Sequence, residues 1–228
     1  MNDLKHRVKA VIFDMDGTIV KTEHIWGKVV VDVLAECGIS TLSDEQKSQL
    51  QSLSGVGMEY SCRFIKENFG LKQSPQELLD RKVALAHEYF DKHLEFIEGF
   101  ESFHSRLQLV NIPTSIATNA DKLSLNRISS KLQFERFFGK NMYCVADVNN
   151  IAKPDPALFL HAASQLGATP EECIVFEDSL VGFAAAKAAG MKCIGIKNTL
   201  NQSHLDKVHH AIQDYLEAEE AIKKVSQI

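Results

Sequence analysis

Asp14 and Asp16 stand two residues apart at the end of the apolar run in KAVIFDMDGT, residues 9–18, with Gly17 and Thr18 directly behind them. Three more apolar runs rich in β-branched residues follow. IPTSIATN ends on Thr118 and Asn119, CIVFED ends on Glu177 and Asp178, and MKCIGI closes at Ile196. A weaker run, MYCVADV at 142–148, precedes the loop NNIAKPDP, which carries Lys153. If these runs are strands of one parallel sheet, the loops at their carboxyl ends converge on a single crevice, and residues far apart in the chain meet there. Carboxylates gathered in this way repel one another unless a cation neutralises them. Oxygen donors with no histidine or cysteine among them point to Mg²⁺.

The elements that would hold these groups are legible. None of the runs alternates clearly, as expected of strands covered on both faces, and helix-length segments separate most of them. DPALFLHAASQLG carries Asp155 as a cap, Pro156 at the first helical position and Gly167 past the end, and DSLVGFAAAKAAG repeats the plan to Gly190. This is an α/β pattern: a Rossmann-like parallel sheet with crossover helices. About a hundred residues separate the first two runs, far more than one crossover needs. Residues 20–93 read as four helical pieces divided by Gly38, Gly55, Gly57 and Ser74-Pro75, an all-helical cap inserted into a core of residues 1–19 and 94–228. The charged tail LEAEEAIKKV reads as a solvated final helix.

Composition narrows the function. At 228 residues and 45% apolar content the chain can build a full core. Its formal charge of −5, with no basic run, argues against a nucleic-acid partner. The five cysteines are scattered and form no C-x-x-C, so neither a disulfide framework nor a zinc site is expected; they read as small buried hydrophobes. MNDLKHRVKA holds no apolar signal segment and no run approaches a membrane span, which leads us to expect a cytoplasmic protein without a membrane partner, monomeric or weakly self-associating. GVGME lacks the third glycine and preceding strand of a dinucleotide loop. His209-His210 reads as an exposed face. Trp26, Phe64 and Phe69 read as core aromatics in preference to pocket residues.

The set Asp14-Met15-Asp16-Gly17-Thr18, Thr118, Lys153-Pro154 and Glu177-Asp178, in this order on these strand ends, resembles the four motifs of the haloacid dehalogenase superfamily of phosphotransferases, over almost the whole chain. The insertion resembles the helical cap of the subgroup containing sugar-phosphate phosphatases and β-phosphoglucomutase. The resemblance implies that Asp14 attacks phosphorus to give an aspartyl-phosphate. It implies that Asp16 protonates the leaving alkoxide and then takes a proton from water. Mg²⁺ would be held by Asp14, the Asp16 carbonyl and Asp178, with Glu177 either a ligand or a supporting carboxylate. Thr118 and Lys153 would bind the phosphoryl oxygens, and Asn119 either joins them or closes a turn. From the cap, Gly55 and Met58 in the loop SGVGME would meet the leaving group.

Dehalogenases proper usually lack the second aspartate, so Asp16 favours phosphoryl transfer. Mutases of the subgroup usually carry a histidine where this chain has Trp26, and an arginine where it has Met58. Without that arginine no fork grips a second phosphate. The expected function is therefore a Mg²⁺-dependent phosphatase acting on a small phosphorylated metabolite, a sugar or polyol phosphate with a neutral or modestly polar leaving group. A sugar phosphomutase is the alternative within the family, and a non-catalytic binding protein is the alternative outside enzymology. Lys21 and Glu98 also depart from the usual residues; Lys21 reads as a solvated hinge residue. The cap is expected to open and close about the crossings near Ile19–Thr22 and His93–Gly99, with Gly17 and Gly99 adjusting.

Overall fold

The computed structural model describes residues 8–227; residues 1–7, which belong to the predicted core segment and make up most of the stretch MNDLKHRVKA, and Ile228 lie outside the described residues. Among the described residues there are six strands: β1 (Ala10–Phe13), β2 (Thr114–Thr118), β3 (Met142–Cys144), β4 (Cys173–Glu177), β5 (Lys192–Ile196) and β6 (His210–Ile212). They form one sheet in the order β3-β2-β1-β4-β5-β6. Every neighbouring pair is parallel. As expected, β1 lies between the strands that end at Thr118 and Glu177, with Phe13 opposite Ile116 on one side and Phe176 on the other.

All four residues of β1 are buried because helices cover both faces. Val11 and Phe13 face α5 (Phe100–Leu109) and α10 (Ala218–Val225), within a cluster that includes Phe100, Phe103 and Ile222. Ala10 and Ile12 face α8 (Ala157–Gln165) and α9 (Leu180–Ala188), beside Leu158, Phe159 and Phe183. The two-residue period of the strand thus assigns alternate side chains to two separate cores.

Between β1 and α5 the chain forms α1 (Glu23–Glu36), α2 (Asp44–Gln51), α3 (Met58–Phe69) and α4 (Pro75–His93). Local sequence sets their ends. Ser43 with Gln46 and Ser74 with Glu77 form reciprocal capping boxes, Pro75 opens α4, and Gly70 closes α3 in the left-handed region. α4 packs on α1 and α3, and also on α6 (Lys122–Leu132) of the sheet layer. The apolar cluster on the Phe13 face continues into this insertion through Ile25, Val29, Leu85 and Phe90. The two chain crossings pair with each other: Val20 forms an antiparallel bridge with Phe96, Lys21 N–H donates to the Glu95 carbonyl at 2.9 Å, and Ile97 N–H donates to the Ile19 carbonyl at 2.9 Å.

Three elements differ from the sequence reading. The run 142–148 is strand only to Cys144; Asp147 Oδ2 then accepts the Cys144 N–H at 2.9 Å and Val145–Val148 turn into a 3₁₀ segment. A sixth strand, three residues long and containing His210, was too short to signal itself. The final helix is not wholly solvated, because Ala218, Ala221, Ile222 and Val225 lie buried on one side of it. A short helix, α7 (Glu135–Phe138), buries Phe137 and Phe138. No helix among the described residues is long and apolar enough to cross a membrane. Cys62, Cys144, Cys173 and Cys193 are buried, as the sequence reading expected, whereas Cys37, beyond the end of α1, is only partly so.

Candidate active site

The carboxyl ends of β1, β2 and β4 bring the predicted residues together. Lys153 Nζ, buried, donates to Asp14 Oδ1 at 2.6 Å and to Glu177 Oε1 at 2.7 Å. Glu177 is held by its second oxygen, which accepts the Ser179 N–H at 2.7 Å and the Ser179 hydroxyl at 3.0 Å. Gly182 makes room for it: a Cβ at that position would lie 1.8 Å from Glu177 Oε1. The N-cap of α9 is Ser179, whose hydroxyl accepts the Gly182 N–H, so Asp178 is free of capping duty.

Asp178 Oδ1 instead accepts the Thr18 hydroxyl at 3.1 Å, and Oδ2 accepts the Asn198 amide at 3.0 Å. Asn198 Nδ2 also donates to Glu23 Oε1 at 2.6 Å, which links the first turn of α1 to the β4 loop. Gly17, at φ +75°, passes so close to Asp178 that a Cβ would lie 2.2 Å from Oδ2. Thr118 Oγ1 accepts the Ala120 N–H at 3.1 Å and keeps its own hydroxyl proton free. Asn119 does more than close a turn. Its Oδ1 accepts the Lys153 N–H at 2.9 Å and its Nδ2 donates to the Gly55 carbonyl at 2.9 Å, so it ties the insertion's loop to the loop carrying Lys153. Gly55 is a contact point between insertion and core: a Cβ there would lie 2.4 Å from Ser179 Cβ.

Of the buried carboxyl groups here, Asp14 and Glu177 share the buried ammonium of Lys153, while Asp178 is held by Thr18 and Asn198. Burial lowers the affinity of Lys153 for its proton, but Asp14 and Glu177 outweigh it and hold the ammonium well above its usual range. Burial, offset in part by Lys153 and reinforced by Glu177, pushes the Asp14 carboxyl up to about 8. Asp178 rises well above the usual range through burial, Glu177 and Asp14. Asp16 is raised by burial against the hydrogen bond from Trp26. Ionised together, these carboxyl groups would leave an excess of buried negative charge, which is why they hold their protons in the absence of a cation, and the donors are all oxygen. That chemistry fits a hard divalent cation. Among the described residues no three acidic, histidine or cysteine side chains are gathered as a ready-made cage.

A cavity of about 390 Å³ lies over these groups, bordered by Asp14, Asp16, Thr118, Asn119, Gly55 and Met58. All the predicted catalytic and cap residues except Lys153 and Glu177 reach it, and those two stand directly behind Asp14. Trp26 departs from the core-aromatic reading: its ring packs edge-on to Phe90, but it borders the cavity and its indole N–H reaches Asp16. Lys21 is solvated as the sequence reading expected, exposed beside Glu95 at 3.5 Å. Sequence reasoning missed Glu23, Asn198, Ser61 and Lys82. Lys82 alone left a legible signal, since it falls on the α4 stripe of Leu78, Leu85, Ala86 and Phe90.

Comparison with known proteins shows the family. The model of the haloacid dehalogenase-like hydrolase family matches residues 11–196. The 6-phosphogluconate phosphatase of Escherichia coli K12 is 30% identical over 82% of this chain and 81% of its own length. The chain spans only 19% of the Arabidopsis thaliana protein SUPPRESSOR OF QUENCHING 1, chloroplastic, at 31% identity over 87% of this chain. It spans 52% of an Arabidopsis bifunctional riboflavin kinase/FMN phosphatase, at 27% identity over 90% of this chain. A crystal structure of β-phosphoglucomutase from Clostridium difficile has the same fold, with a TM-score of 0.82, 24% identity, and coverage of 96% of this chain and 98% of that one. With the motifs gathered on one crevice of a parallel sheet and the family model matched across most of the chain, this protein belongs to the haloacid dehalogenase-like hydrolases.

Proposed function

We propose that this phosphoric monoester hydrolase is a Mg²⁺-dependent phosphatase of small phosphorylated metabolites, sugar or polyol phosphates among them, working through an aspartyl-phosphate. The observation that carries the reading is the common cavity of Asp14, Asp16 and Thr118, backed by the Lys153 ammonium. Asp14 Oδ1 is engaged by Lys153, which leaves the other oxygen for in-line attack on phosphorus. The Thr118 hydroxyl proton and the Lys153 ammonium are the donors for the phosphoryl oxygens as charge redistributes. Asp16, its proton affinity raised by burial, gives a proton to the departing alkoxide and later takes one from the water that cleaves the acyl phosphate. Asp14, the Asp16 carbonyl and Asp178 would hold Mg²⁺, with Glu177 supporting Lys153. When bound, the ion offsets repulsion between the nucleophilic carboxylate and the phosphate.

Residues 20–93 act in this reading as the cap that shields the reaction from bulk water. Met58 borders the cavity without offering a fork for a second phosphate, which favours hydrolysis over mutation of a sugar bisphosphate. The test is phosphate release from an aryl phosphate and from a panel of metabolite esters with Mg²⁺ and with EDTA. Release that needs Mg²⁺ supports the reading. Conversion of β-glucose 1-phosphate to glucose 6-phosphate without free phosphate would replace it with the mutase, and silence on every ester would leave a binding protein.

A further inference from the structure

One buried charged group on the cavity wall has no part in the chemistry above. Lys82, in α4, is 2% exposed and borders the cavity that holds Asp14 and Asp16. Its Nζ donates to the Ser61 hydroxyl at 2.7 Å, and Ser61, in α3, borders the same cavity. Among the described residues no carboxylate balances it: the titratable group that bears on it is Cys62, whose thiol burial pushes up and so keeps neutral. Burial pulls the ammonium down from its usual range. The contrast with Lys153, which sits between two carboxylates, is direct. Lys47, also on the cavity wall, stands in solvent and pairs with Asp44 at 2.9 Å. A buried ammonium without a counter-ion is costly to keep, and it contributes nothing to the stability of the fold that an apolar side chain of the same length would not.

We propose that Lys82 and Ser61 recognise a carboxylate on the leaving group, so that the preferred substrates are phosphate esters of hydroxy acids. The proposal rests on the phosphatase reading and deepens it. The cavity is bordered by Asp14, Asp16 and Asp178 from the sheet, with Lys153 behind Asp14, and by Lys82 from the helical wall, a layout that suits a molecule with a phosphate and a second anionic group. One ammonium and one hydroxyl match a monoanion such as a carboxylate. A second phosphate dianion would remain undercompensated, and a neutral polyol would leave the ammonium buried without a counter-charge. The cation that Met58 does not supply therefore comes from the neighbouring helix, and the leaving group it selects is anionic rather than neutral.

The experiment uses two matched pairs that differ only in –COO⁻ against –CH₂OH: 6-phosphogluconate with glucitol 6-phosphate, and 3-phosphoglycerate with glycerol 1-phosphate. The full-length protein is expected to prefer the acid in at least one pair by about tenfold or more in kcat/KM. In Lys82→Met this ratio should fall to within about threefold of unity while Tm is maintained or rises, because an uncompensated buried charge has been removed. Equal rates within both pairs, or a preference that survives Lys82→Met, would overturn the proposal. Ser61→Ala, which keeps the helix and removes the hydroxyl, should lower the ratio as well and stands in if Lys82→Met fails to fold. Silence on all four esters and on an aryl phosphate would fail the phosphatase reading instead. Calorimetric binding of the same pairs to Asp14→Asn then reads the acid preference without turnover, with equal affinities counting against it.

Discussion

The indole N–H of Trp26 donates to Asp16 Oδ1 at 2.8 Å, so a side chain of α1 fixes the orientation of a carboxyl group at the end of β1. The bond crosses from the helical insertion to the sheet, and Trp26 is the chain's one tryptophan.

In the proposed reaction Asp16 matters most when the leaving alkoxide needs a proton. Trp26→Phe should therefore lower kcat for alkyl phosphates by roughly tenfold, the effect of one hydrogen bond to a charged group. It should do less to p-nitrophenyl phosphate, whose leaving group departs unprotonated. Steady-state rates on both substrates check this, and an equal loss on the two would refute the link to Asp16.

Asp14→Asn should reduce turnover by at least about a thousandfold, because an amide cannot act as the nucleophile. The fold should persist, since Lys153 keeps Glu177 as its partner at 2.7 Å. Circular dichroism alongside phosphate release separates lost chemistry from lost structure.

The excess of buried carboxyl groups predicts that Mg²⁺ stabilises the folded chain. At a hundred times its dissociation constant the ion should add about 2.7 kcal/mol, seen as a rise in Tm, and EDTA should reverse it. In Asp178→Ala the response to Mg²⁺ should shrink together with activity. A full thermal response in that variant would contradict the assignment.

Gly182→Ala should destabilise the protein by about 1–3 kcal/mol, the usual cost of forcing an atom into a packed site. The added methyl meets Glu177, the residue that holds Lys153, so activity should fall further than stability predicts. Urea unfolding and kcat on the same preparation test both parts.

His104 is fully buried against Phe137 and Phe138, with Nε2 at 2.8 Å from Thr114 Oγ1. Burial pulls its pKa down from 6.5 to about 4. The unfolded chain takes up a proton that the folded chain refuses, so this contribution is complete above pH 6.5 and is lost as pH falls toward 4. The full change is about 3 kcal/mol. Unfolding free energies at pH 7 and pH 5 should differ less in His104→Leu than in the parent; identical differences would show that the imidazole titrates normally.

How far these features could be read from sequence follows from the range of the interactions involved. Asp14, Asp16, Thr118, Lys153 and Asp178 were legible because each ends an apolar run or follows one, and strand ends converge in any parallel sheet. Helix starts at Ser43 and Ser74 were legible because capping is local. Trp26, Glu23 and Asn198 were not, since their partners lie across the boundary between insertion and sheet and nothing in the sequence brings them together. Lys82 lies between these cases: its place on an apolar stripe could be read, but the cavity it faces depends on how α4 packs on α1 and α3.

The paired crossings at Ile19–Lys21 and Glu95–Ile97 have a mechanical meaning. Two independent tethers would let the insertion swivel and slide. Laced together by main-chain hydrogen bonds, they form a single two-stranded ribbon, which would resist sliding of one crossing past the other. Were the four helices to rock over the sheet, such a ribbon would restrict them to one arc, and the contacts of Trp26 with Asp16 and of Gly55 with Asn119 would re-form together on closure.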